Sequence, residues 1–286
     1  MIFVFMIIII FKMISLPMKL LDWIDINKLN WSTLSENPNA IELLKENPDK
    51  INWTFLSLNP GAIELLKANP DYIDWYYLSA NQNASSLLKQ NLDKVNWNYL
   101  SRNPGAISIL TENIDKISWY HLLANPNALK LIQQYTTRRN YISFSLNPNA
   151  ISLLKKNPRY IDWDFLSANS NAIGLLKSNL KKINWFHLSG NNNAIELLKE
   201  NPDKINWYML SGNSGAIELL KENQDKINWC MFSTNPSIFT YDYKKMRNSN
   251  KDLKDEIIAA ALNPSRLFKL KEKYGEEEIY KAYFVY

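Results

Sequence analysis

Apolar and polar positions along the chain recur every 22 residues, and the recurrence is marked by an aromatic at Trp31, Trp53, Trp75, Trp97, Trp119, Tyr141, Trp163, Trp185, Trp207 and Trp229. Within one period, Asn52 to Ile73, two helix starts and one stop can be read. The residue before each aromatic is Asn, Asp or Ser, whose side-chain oxygen accepts a free backbone N–H at a helix N-terminus, so a short helix is predicted from the aromatic onward. Six residues after each aromatic stands Asn, from Asn37 to Asn235, and the next residue is Pro in six of the ten units, the favoured first residue of a helix. Where Pro gives way to Gln82, Ser170, Asn192 or Ser214 the Asn remains, which makes the cap the stricter requirement. A longer helix follows, with Ala62, Ile63, Leu65 and Leu66 on one side and Glu64 and Lys67 off it. It is expected to stop at Asn69, a residue tolerant of left-handed geometry, before Pro70.

The predicted core of a unit is the Ile two before the aromatic, the aromatic, the Leu three after it and the Ala-Ile-x-Leu-Leu group. Burying so small a set does not offset the conformational entropy of ordering 22 residues, so a lone unit is unfolded and stacking on neighbours supplies the remainder. The small residue at Ala40 to Ala216, kept in nine successive units, marks where layers approach most closely. The pattern therefore predicts an all-α chain: an α-solenoid of about ten two-helix repeats, one helix short and one longer, over residues 18–236, preceded by an apolar segment, 1–17, and followed by a helical cap, 237–286. In the tenth unit the Ala position becomes Ile238; Ser237–Met246 reads as an amphipathic closing helix, and Asp252–Leu262 and Pro264–Tyr274 as two more.

The Asn-Pro-x-Ala-Ile-x-Leu-Leu-Lys and Ile-Asn-Trp-x-x-Leu-Ser strings resemble a family of uncharacterised repeat proteins encoded by giant, Mimivirus-like DNA viruses, and the closing Asn-Pro-Ser-Ile-Phe-Thr-Tyr-Asp-Tyr and Ala-Leu-Asn-Pro-Ser-Arg segments are similar to that family's ending. The resemblance covers nearly the whole chain from Met18. It implies a viral gene product in the host cytoplasm or the virion and carries no activity with it.

Met1–Phe11 is an unbroken apolar run, too short to span a bilayer as a helix, which takes about 20 residues. It lacks the basic flank and small-residue cleavage site of a secretory signal. Translation from Met18 is the favoured reading, and membrane association through residues 1–16 the other. One cysteine, Cys230, excludes an intramolecular disulfide and reads as a core thiol or a bystander.

Candidate chemistry is sparse. His121 and His187 occupy the same repeat position three units apart, on the order of 30 Å, and cannot share a metal ion. No Gly-rich phosphate loop, paired-Cys motif or His-Glu-x-x-His string occurs, and the recurring Ser, Asn and Asp are accounted for by caps and turns. The expectation is a non-enzymatic scaffold for protein–protein interaction, without cofactor or small-molecule substrate. The periodic tryptophans read as core rather than as base-stacking platforms, and the residues two after them, Phe55, Tyr77, Tyr99, His121, Phe165, His187, Met209 and Met231, as packing between short helices or else an exposed stripe.

The net charge of +5 is unremarkable, but its distribution is not. From Asn127 to Lys182 nine basic residues face only Asp162 and Asp164. The turn position that is Asp49, Asp71, Asp93, Asp115, Asp203 and Asp225 elsewhere becomes Thr137, Arg159 and Lys181 in three consecutive units. These turn positions stack as one ridge, reinforced by Lys156, and the candidate binding residues are Arg138, Arg139, Lys155, Lys156, Arg159, Lys177, Lys181 and Lys182. The partner they suit is an acidic protein segment, with a nucleic-acid or other polyanionic backbone as the alternative.

Overall fold

The structure is a computed structural model that describes residues 17–135, 143–248, 269, 270, 272, 273 and 275. It is mostly helical, with short helices set at the 22-residue spacing. One repeat serves for all. The leading α-helix Trp97–Arg102 is capped by Asn96, whose Oδ1 accepts from the N–H groups of Asn98 and Tyr99. A 3-10 turn, Pro104–Ala106, then reverses the chain into the trailing α-helix Ile107–Glu112. A second 3-10 turn, Ile114–Lys116, leads to the next repeat.

Two local expectations need correction. The Asn-Pro segment opens a 3-10 turn or tight bend instead of the longer helix itself, which begins three residues after the Pro. The trailing helix does not end in left-handed geometry either. Asn69 has φ −134 and Asn113 φ −136, and each closes its helix by donating from Nδ2 to a carbonyl four residues back, Leu65 and Ile109. The amide thus satisfies a late helix carbonyl without backbone strain.

The core differs from an apolar one. Fully buried in nearly every repeat are the Leu three after the aromatic, the Ser four after it, the Asn six after it, the Ala and the second Leu of Leu-Leu. Two polar residues per repeat are therefore interior, and among the described residues no buried side-chain nitrogen or oxygen lacks a partner. Asn103 explains how. Its Nδ2 donates to the carbonyls of Ser79 and Asn81 in the preceding repeat, at 3.0 and 2.9 Å, while its Oδ1 accepts from Gly105 N at 2.8 Å. The Ser hydroxyl is used twice as well: Ser79 Oγ donates to Trp75 O and accepts from Asn96 N of the following repeat.

The same bonds join the last repeat to the first. Asn37 Nδ2 donates to Ser233 O and Asn235 O at 3.0 and 2.9 Å, Asn30 N donates to Ser233 Oγ at 2.9 Å, and Asn39 Nδ2 donates to Pro236 O at 2.9 Å. The array therefore does not end at a cap after the tenth unit: Leu20–Thr240, one compact unit, is a closed circuit of ten repeats in which every unit has two neighbours. Closure of ten equal units requires a mean rotation of roughly 36° per repeat.

Met1–Lys19 and Tyr241–Tyr286 make up the second unit. Strands β1 (Met18–Leu20) and β2 (Phe239–Tyr241) form a two-stranded sheet. Bonds from Leu21 N to Ile238 O and from Asp242 N to Pro17 O run antiparallel. The closing helix expected over Ser237–Met246 is thus corrected to a strand, favoured by the β-forming Phe-Thr-Tyr sequence, followed by a helix at 243–248. Of the two further cap helices, residues 269, 270, 272 and 273 are helical and the rest lies outside the described residues.

Closure has a measurable signature. Asn125→Ala removes three bonds, leaving the Ser101 carbonyl and the Asn127 N–H unpaired and the Asn103 carbonyl with Ala106 N alone, and should cost about 3 kcal/mol in chemical denaturation. Asn37→Ala should cost the same, because Asn37 makes the same three bonds, two of them across the closing interface and one within its own turn. An open array, whose first unit has no predecessor, requires Asn37→Ala to be nearly silent.

Candidate interaction surface

Three sets of side chains reach the surface at fixed repeat positions, and each is placed by the leading helix or by the turn after the trailing one. The first is the aromatic series. The indoles are half-buried and not enclosed in the core, and most are covered by the residue three before the next aromatic. Lys50 Nζ lies 4.3 Å from the Trp31 ring centre, Lys94 4.7 Å from Trp75, Lys116 5.1 Å from Trp97, Lys182 4.6 Å from Trp163 and Lys226 4.6 Å from Trp207. Tyr72 takes this place over Trp53, stacked at 4.7 Å, and Lys28 covers Trp229 across the closing interface at 5.2 Å. An ammonium over an indole contributes about 0.5–1 kcal/mol at a surface and shields the ring. The recurrent Lys at this position was the signal in the sequence for these contacts.

The second set lies along the leading helices. The column two after the aromatic is half-buried and packs between repeats, as Tyr99 does against Tyr76 at 4.7 Å. The exposed stripe is the column one residue earlier, with Tyr76, Tyr120, Phe186 and Tyr208. Cys230 belongs to this column and is exposed, which removes the reading of a core thiol. Ser118 Oγ lies 2.8 Å from His121 Nδ1, so the imidazole takes part in the start of its own helix.

The third set is the basic one. Arg159 and Lys181 occupy the middle of equivalent 3-10 turns, Pro158–Tyr160 and Leu180–Lys182, and both are exposed. Lys177, Lys181 and Lys182 line one shallow hollow of about 410 Å³ with Ser178, Asn179 and Leu180. Lys156 lines another, of about 230 Å³, with Leu129, Gln133, Asn149, Ala150, Ser152 and Leu153. Two cations are turned onto rings, Arg159 over Tyr160 at 4.7 Å and Lys182 over Trp163. Arg138 and Arg139 lie outside the described residues.

The electrostatics of this segment follow from missing carboxylates. In repeats 1, 2 and 8 the trailing-helix Lys pairs with a Glu three residues earlier: Lys45–Glu42 at 2.9 Å, Lys67–Glu64 at 2.8 Å and Lys199–Glu196 at 3.0 Å. Lys155 and Lys177 have Ser152 and Gly174 at that place. Among the described residues, the ion pairs found all lie outside the basic segment. Its two acids are engaged elsewhere. Asp162 Oδ1 accepts from Phe165 N as a helix cap, and Asp164 Oδ1 accepts from Asn184 Nδ2 at 2.8 Å.

Among the described residues no helix is long and apolar enough to cross a membrane, and no cluster of three or more His, Cys, Asp or Glu side chains has metal-binding geometry. Comparison of the chain with protein-family models, curated proteins and solved structures gives no match.

One carboxylate is held at a cost. Burial raises the pKa of Glu36 above its ordinary value. Because the folded state then holds the proton more tightly than the unfolded one, Glu36 opposes folding above its folded pKa and ceases to do so below its unfolded pKa. Glu36→Gln should raise the melting temperature at pH 7, and the gain should vanish when the melts are repeated below about pH 4.

Proposed function

We propose that this closed α-solenoid is a non-enzymatic interaction scaffold, and that its basic ridge in repeats 6 and 7 holds an acidic segment of a partner protein. The observation that carries the reading is the change at the turn, where Asp becomes Arg159 and Lys181, in repeats whose helix position holds Ser152 and Gly174 and so gives Lys155 and Lys177 none of the Glu partners of repeats 1, 2 and 8. A fold that needed only solubility at these exposed places would keep the mixed charges it uses elsewhere.

The reading of a non-catalytic chain rests on the structural use of its recurring polar groups. Asn and Ser are consumed in the inter-repeat bonds, and the residue before each aromatic caps a helix in most repeats. Consistent with the resemblance to giant-virus repeat proteins, we place the scaffold in the host cytoplasm or the virion.

A phosphate backbone is the second reading, because exposed Lys and Arg suit phosphates as well as carboxylates. Base stacking on the tryptophans is disfavoured, since lysines already occupy the faces of most of those indoles.

The test is a triple variant, Lys156→Glu, Arg159→Asp and Lys181→Asp, titrated with an oligoglutamate peptide and separately with a homopolymeric oligonucleotide of similar charge. Thermal stability should change little, because exposed charges contribute about 0–1 kcal/mol. The wild-type chain should bind the peptide at low salt, and the variant should bind at least about tenfold more weakly, with wild-type binding falling as salt rises. Undiminished peptide binding by the variant defeats the proposal, and wild-type binding to the oligonucleotide alone replaces it with the second reading.

A further inference from the structure

The ridge is half of a longer pattern. The turn position in repeats 6 to 9 runs Arg159, Lys181, Asp203, Asp225, two cations followed by two anions, all exposed and at the same place in consecutive, similarly stacked units. The position at the C-terminal end of the trailing helix repeats the trend as Lys156, Ser178, Glu200 and Glu222, also exposed. Of these acids only Asp203 makes an ion pair among the described residues, a long one of 3.9 Å to the adjacent Lys204.

A row of charges that changes sign at its midpoint is self-complementary under a two-fold axis. If a second copy is rotated about an axis between the turns of repeats 7 and 8, the order of its row reverses. Arg159 then meets Asp225 of the other copy, Lys181 meets its Asp203, and Lys156 meets its Glu222, with each pairing made twice. Both rows are built on the same repeat and so share one spacing and one curvature.

From this antisymmetry we infer that the chain forms a two-fold homodimer through the exposed edge of repeats 6 to 9, in competition with the acidic partner for the same cations. The inference rests on the basic ridge being an interaction surface. It goes further, because an acidic partner engages only the positive half of the row, whereas a second copy also brings against those cations the Asp203 and Asp225 of repeats 8 and 9, the residue that repeats 1 to 4 carry at this turn. A two-fold contact uses both halves and is closed, so association stops at two copies. Exposed pairs are individually weak and screened by salt, which makes the dimer reversible and favoured at low ionic strength.

Sedimentation velocity on the full chain tests this with charge-reversed versions of the row. The wild type should sediment as a dimer at about 0.05 M salt and dissociate by about 0.5 M, its association constant falling at least about tenfold. Arg159→Asp with Lys181→Asp makes the row wholly acidic, and Asp203→Lys with Asp225→Lys makes it wholly basic. Each double variant alone should be monomeric at low salt, and an equimolar mixture of the two should recover a heterodimer. The residues introduced occur at this position in other repeats, and unchanged helical circular dichroism verifies the fold. Putting all four reversals in one chain should restore the homodimer, since the row is again antisymmetric. A wild type that stays monomeric at low salt, or a mixture of double variants that does not associate, overturns the dimer. If the Arg159→Asp, Lys181→Asp chain nevertheless loses oligoglutamate binding, the ridge remains a partner site and only the self-association is lost.

Discussion

The side-chain amide that links each repeat to its predecessor is the interaction on which the rest of the molecule depends. It spends both N–H groups on carbonyls of the previous unit and its oxygen on its own turn, as Asn103 does with Ser79, Asn81 and Gly105. Asp has no N–H to give, Gln reaches one carbon too far, and a shorter residue leaves buried carbonyls unpaired, so ten units in ten keep Asn. The closeness it enforces sets the neighbouring residues. A Cβ on Gly105 would collide with Gln82 O, and one on Gly61 would lie 2.8 Å from Pro38 O. At other repeats the same position is Asn, which turns the close approach into a bond, as Asn127 Nδ2 does with Pro104 O at 3.0 Å. The buried Ala three residues after the linking Asn follows from the same crowding.

The period, the caps before the aromatics and the buried Ala column were legible because each is written in adjacent residues. The second role of Asn was hidden by its first. A residue whose oxygen caps a turn gives no sign that its amide nitrogen binds another repeat. The tryptophans were misjudged as core for a related reason: a large ring at fixed spacing among Ile and Leu looks enclosed, but the Lys that covers it stands 19 residues later, beyond the reach of a local reading. Closure was the least legible feature. It depends on the rotation between repeats summed ten times, and a small change in that angle, distributed over many backbone torsions, separates a circle from an open spiral without altering any motif. The strand at Phe239–Tyr241 is a consequence of closure, since the tenth unit meets Leu21 where a closing helix was expected.

The surface residues were read with mixed success. The basic turn positions are exposed as expected, because each turn is held by the Asn before it, Asn157 with Pro158 or Asn179 with Leu180, and the middle side chain is left unconstrained. The column two after the aromatic packs between short helices, as its favoured reading had it, and the exposed stripe stands one residue earlier, since one step on a helix rotates a side chain by about 100°. The irregular stretch of the circuit is also local. Leu123 replaces the Ser whose hydroxyl would receive the following unit, while Asn147 still donates to the Leu123 carbonyl at 3.1 Å. The amide ladder therefore continues through the unit where the hydroxyl ladder breaks, next to the segment richest in cations.

A closed circuit also changes what inheritance can do to such a gene. Open arrays lengthen and shorten by duplicating or losing a unit, and each intermediate remains a shorter or longer version of the same object. Here an eleventh unit would have to be accommodated by ten interfaces at once, each giving up part of its rotation, and a ninefold version would strain the same bonds in the opposite sense. Repeat number becomes a conserved quantity, while the exposed turn residues remain free to vary from unit to unit. Diversification in this lineage would then proceed by recolouring a fixed wheel, one surface position at a time, instead of by changing its size.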